Sequence, residues 1–157
     1  KEDRNKKAEA CSVRTLIQLE IQQNIDELEI FWGRLQEPEV DSNNPQQISS
    51  KVFKLSKMPI PPWTYKAWES QMSKVPAVFM PWEIVQISNA YKKLMKISNL
   101  LNMLPNREID IGIKTGTVYN IGDVVIMGSY DSEISFLYDL EALTLEVLKA
   151  GNPLASS

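Results

Sequence analysis

The chain has 157 residues, 43% of them hydrophobic and 24% charged, with a formal net charge of −3. This is ordinary for a soluble globular domain, long enough to bury a core without metal or disulfide, and no run of about eighteen apolar residues is present to cross a bilayer. There is no histidine and one cysteine, Cys11, which excludes histidine-dependent triads, Glu-x-x-His di-iron sites, a structural zinc site and an internal disulfide.

The charge is unevenly spread. Residues 1–50 hold six basic and ten acidic groups, residues 51–105 eight and two, and residues 106–157 three and eight, for nets of −4, +6 and −5. Basic middle helices lying beside acidic flanking ones account for this with modest pairwise gains. A basic surface for anionic lipid or an acidic partner is the sharper reading, and no nucleic-acid motif accompanies it. The first residue is Lys1 rather than Met, so a preceding signal peptide, membrane helix or tail is expected. Lys1 to Lys7, KEDRNKK, reads as a solvated helix start or as a basic segment just inside a membrane helix.

Ala8 to Glu37 predicts a long helix. Ile17, Ile21, Asn24, Leu28, Phe31 and Leu35 alternate in steps of four and three, a heptad-like seam that Ile25 and Trp32 broaden. Asn24 on the seam is expected to be a buried amide that fixes register or caps a neighbouring element. Glu20, Asp26, Glu27 and Glu29 read as a solvated acidic flank, and Pro38 ends the helix. Glu39 to Gln47 has loop composition, and Ile48 to Met58 is a weak helix or an extended connector.

Met58 to Trp63, MPIPPW, is expected to be extended, because proline disfavours helix in the residue before it. Thr64 then serves as N-cap, with Trp63 and Trp68 at staple spacing, and Tyr65, Trp68, Met72 and Val75 form the buried stripe of a short helix. Pro81 to Leu104 carries the longest unbroken helical period, through Ile87, Ala90, Leu94, Ile97, Leu101 and Leu104, with Asn89, Lys92, Lys96 and Asn99 on the wet side. Pro81 suits the first helical position, and Pro105 suits the exit.

Residues 107–128 change character. Ile109, Ile111 and Ile113 alternate with Asp110, Gly112 and Lys114, and the glycines argue against a continuous helix, so an irregular insert or short β-hairpin is predicted. A last helix from Ser129 to Ala150 is expected to bury Phe136, Leu140, Leu143 and Val147, with Gly151 as its left-handed exit and residues 152–157 as a tail. The expected fold is mostly α: a single domain, 1–157, built as an antiparallel helical bundle of three to four helices with an irregular or hairpin segment near 107–128.

Chemistry is sparse. Asp110, Asp123 and Asp131 match no calcium loop, and Gly112 to Gly116, GIKTG, lacks the phosphate-loop spacing. Cys11 reads as a small hydrophobe or as a lipidation site close to a membrane. No catalytic, cofactor-binding or metal-binding residue is assigned. Trp63, Trp68, Trp82 and Tyr91 are the candidate pocket or interface, although helix-spaced aromatics are more commonly core.

Two stretches, Leu19 to Leu28 and Trp63 to Glu69 with the later Ala90 to Leu94, resemble a loosely defined class of bacterial membrane-tethered proteins of unknown function. The resemblance implies one N-terminal membrane helix, a helical cytoplasmic domain and scaffolding, and supplies no catalytic residues. The expected function is a non-catalytic, membrane-tethered module that binds a protein partner or self-associates. The alternative is an exported ligand-binding sensor domain with an aromatic pocket.

Overall fold

The computed structural model describes residues 2–36, 51, 54–55, 57–103 and 123–155, with backbone alone for residues 123–134. The protein is mostly helical, and no strand occurs among the described residues. Helix α1 spans Glu2–Leu35, α2 Lys66–Gln71, a 3₁₀ turn Met72–Lys74, α3 Val75–Val78, α4 Pro81–Asn102 and α5 Asp123–Ala150. Of the described positions within 48–58, Lys51, Lys54, Leu55 and Lys57 have helical backbone and Met58 is a bend, and Leu55 is buried.

The chain divides into two compact units: residues 1–29, 61–95 and 146–157 in the first, residues 30–60 and 96–145 in the second. In the first unit, Ile17, Ile21 and Leu28 of α1 and Ile87 and Leu94 of α4 are fully buried, as their spacing predicts. Contacts give the chain direction. Thr64 meets Asn24, Ala67 and Trp68 meet Glu20, and Lys74 meets Glu9, so residues 64–74 run back along α1. Arg14 then meets Glu83, and Glu20 meets Tyr91, so α4 runs parallel to α1. Glu146 meets Lys93 and Asn152 meets Gln18, so the end of α5 runs against both.

The start of α4 is clasped from two sides. Glu83 Oε1 accepts the Met80 N–H at 3.1 Å, the reach-back half of a capping box, while Oε2 takes the Arg14 guanidinium. The guanidinium also lies over the Phe79 ring, 5.2 Å from its centroid. Gly151 closes α5 with a φ of 66°, the left-handed exit that glycine adopts without steric cost.

In the second unit, Phe31, Leu35, Leu55, Ile97, Leu101, Phe136 and Leu140 are buried. The Lys54 ammonium donates to the Arg34 carbonyl at 2.7 Å, supplying a cation to one of the last α1 carbonyls. Lys51 donates to Gln36 Oε1 and lies over Trp32, and its burial lowers its proton affinity.

Several expectations are corrected. Helix α5 begins at Asp123, so residues 123–128 are helix and not part of an irregular insert. The apolar run Val124 to Met127 suits a helix as well as a strand, and one interior glycine, Gly128, costs only about 1 kcal/mol. The rest of the expected hairpin lies outside the described residues. Thr144, not Leu143, is fully buried on α5. Met72 is exposed and Leu154, assigned to a tail, is buried. Asn152 explains the latter: its amide donates to the Gln18 carbonyl at 3.0 Å and its oxygen accepts the Leu154 N–H at 2.9 Å, pinning the exit onto α1.

Two outcomes follow. Leu94→Ala opens a cavity at a fully buried site and should cost about 3 kcal/mol in urea unfolding, whereas Lys92→Ala on the wet side should cost under about 0.5 kcal/mol. Arg14 and the Met80 N–H hold the Glu83 carboxyl below its ordinary 4.5. A depressed carboxyl contributes stability above the unfolded value and loses it as pH falls, so unfolding free energy should drop below about pH 4.5, with a shallower drop in Arg14→Ala.

Candidate functional site

The densest polar arrangement in the first unit surrounds Glu20. It sits on α1 between Ile17 and Asn24, inside the arc that α4 and residues 61–68 cover, and is only 7% exposed. Oε2 accepts the Ala67 N–H at 2.8 Å, and Oε1 accepts the Trp68 N–H at 3.2 Å. These are the second and third residues of α2, the N–H groups that an N-cap side chain normally satisfies. Tyr65 flanks α2 and its side chain makes no capping bond, so a carboxylate from a distant helix takes that place. Its negative charge also complements the positive end of the helix dipole.

Two further hydroxyls complete the shell. Tyr91 donates to Glu20 Oε1 at 2.6 Å, and the Thr64 hydroxyl lies 3.4 Å from Oε2, longer than an O–H···O bond usually runs and so at most a weak one. One turn along α1, the fully buried Asn24 donates to the Thr64 carbonyl at 2.9 Å and accepts the Thr64 N–H at 3.1 Å. The amide therefore pairs with a whole residue of main chain. The expected register role of Asn24 has this concrete form. The expected solvated role of Glu20 does not hold, because its flank is covered by the returning chain. Its position three residues beyond Ile17 and four before Asn24 was the available signal.

The aromatic set is only partly gathered. Trp68 stacks on Tyr91 with centroids 5.2 Å apart and planes at 20°, and Tyr65 meets Tyr91 edge-on at 6.0 Å. These rings occupy one another's faces and so resemble a small core more than an open pocket. Trp82 is 60% exposed. Trp63 is half-buried, and its indole N–H and the Tyr65 hydroxyl are buried without a hydrogen-bond partner among the described residues.

Thr64 was expected to cap the short helix. The helix begins two residues beyond it, and the Thr64 hydroxyl accepts the Lys66 N–H at 3.3 Å. A cleft of about 370 Å³ lies elsewhere in the unit, lined by Ile21, Ile25, Ala90, Leu94, Val147 and their neighbours, and includes none of the four candidate rings. Among the described residues no group of three His, Cys, Asp or Glu side chains could hold a metal ion, and no helix is long and apolar enough to cross a membrane.

No family model, curated protein or solved structure matches this chain. The class it defines by its own geometry is a mostly helical protein whose buried acid, amide and phenol are engaged in holding main chain and one another.

Burial, followed by the bond to Glu20, raises the Tyr91 hydroxyl well above its ordinary 10.0. A raised group contributes stability that is complete below the unfolded value and is lost as pH rises past it. Unfolding free energy should therefore fall above about pH 10, and Tyr91→Phe should show a smaller fall between pH 9 and 11 in urea titrations.

Proposed function

We propose that this chain is a non-catalytic helical module, arranged as a bundle, that works by binding a protein partner or a second copy of itself. On this reading it is held at a membrane by a segment upstream of Lys1 and faces the cytoplasm. The observation that carries the reading is the contrast between two sets of side chains. The buried polar groups Glu20, Asn24 and Glu83 are committed to internal hydrogen bonds, so they offer no reactive pair. Trp82 and Val85, three residues apart on one face of the first turns of α4, and Met80 just before the helix are instead 60%, 58% and 57% exposed. Large apolar side chains left wet together mark interaction surfaces more than catalytic ones.

The alternative, an exported sensor with an aromatic pocket, has less support. Trp68 and Tyr91 stack on each other, and Trp82 stands exposed. A ligand of that class would have better room in the separate cleft, whose volume lies in the range of small-molecule sites.

Light scattering after size exclusion, from about 1 to 100 μM, tests self-association. A concentration-dependent rise in mass that Trp82→Ala and Val85→Ala together abolish, without loss of helicity, is the expected result for a second copy. A monomer throughout leaves partner binding to be sought with the same double variant as control. The anchor has its own test: the gene should encode an apolar run of about 20 residues upstream of Lys1, and its absence would remove the tether from the reading.

A further inference from the structure

Residues 62–74 form a stretch with no fully buried residue, bounded by the buried Pro61 and Val75. This segment, which contains α2 and the 3₁₀ turn, shelters Trp63, Tyr65 and Trp68 only in part, whereas α1 and α4 carry fully buried stripes, so its apolar hold is the weaker of the two. Its attachments are few and specific. Glu20 takes the Ala67 and Trp68 N–H groups, Asn24 grips Thr64 through two bonds, and Trp68 rests on Tyr91. The Lys74–Glu9 ion pair is exposed on both sides and adds little. Against these attachments stand the Trp63 indole N–H and the Tyr65 hydroxyl, which lack a partner among the described residues while the segment is closed and would regain water if it lifted.

We infer that residues 62–74 are a strap that opens as a local unit, with Glu20 as its latch, while α1 and α4 stay packed on each other. The strap is closed by polar bonds from two α1 side chains and opposed by its own unsatisfied groups. Ile17 and Ile21 of α1 and Ile87 and Leu94 of α4 are fully buried, and among the described residues no buried polar side-chain atom on either helix lacks a partner. Opening parts Trp68 from Tyr91 and frees the Glu20 carboxylate, so the strap governs access to that acid and ring. Segments held in this way belong to the low-stability end of a fold.

Native-state amide exchange on the intact protein tests this without any variant. The amides of Ala67 and Trp68 should exchange on the order of 100-fold faster than those of Ile87 to Leu94, with almost no dependence on low urea, whereas the α4 amides should track global unfolding. Glu20→Gln keeps one acceptor and removes the charge. It should speed exchange at Ala67 and Trp68 by about a further tenfold while leaving the α4 amides within about threefold, after correction for global stability. Equal protection and equal urea dependence in strap and α4 would overturn the inference. So would a Glu20→Gln variant whose exchange rises equally at both places. If that variant does not fold, the wild-type comparison decides.

Discussion

One carboxylate carries an unusual share of the first unit's organisation. Glu20 is bonded to two main-chain N–H groups of α2 and to the phenol of Tyr91 on α4, with the Thr64 hydroxyl close by. A charge taken out of water is tolerated only when its lone pairs are filled, and here donors from the returning chain and from α4 fill them together. The same atoms that solvate Glu20 therefore position two other elements against α1. Asn24, one turn further along, repeats the device with a neutral amide.

The start of α4 follows the same logic at another acid. Glu83 closes its own helix through the Met80 N–H and ties that end to α1 through Arg14, which also covers Phe79. Asn152 does the equivalent at the exit of α5. At each of these points the apolar stripe supplies the driving force without direction, and a polar side chain sets where the chain enters or leaves.

This use of polar groups bears on function. Glu20 and Glu83 have their oxygens occupied by the protein itself. Among the exposed apolar side chains, Met80 just before α4 and Trp82 and Val85 in its first turns give the interaction reading its footing.

Helix identity was legible from residue order alone. The steps of three and four through Ile17, Ile21, Leu28, Ile87, Leu94, Phe136 and Leu140 mark faces that are buried in the structure, because helical period is a local property of the backbone. The glycine after α5 and the proline opening α4 were equally readable, since each acts through its own φ or missing N–H. The start of α5 was misplaced because a run such as Val124 to Met127 has no period to read. What tertiary structure alone decided was the fate of Glu20, Thr144 and the aromatic set. Whether a carboxylate stays wet, or two rings meet, depends on which distant segment arrives beside them, and here the return of residues 61–68 along α1 brought Trp68 onto Tyr91 and left Trp82 outside. Spacing along one helix holds no information about that arrival.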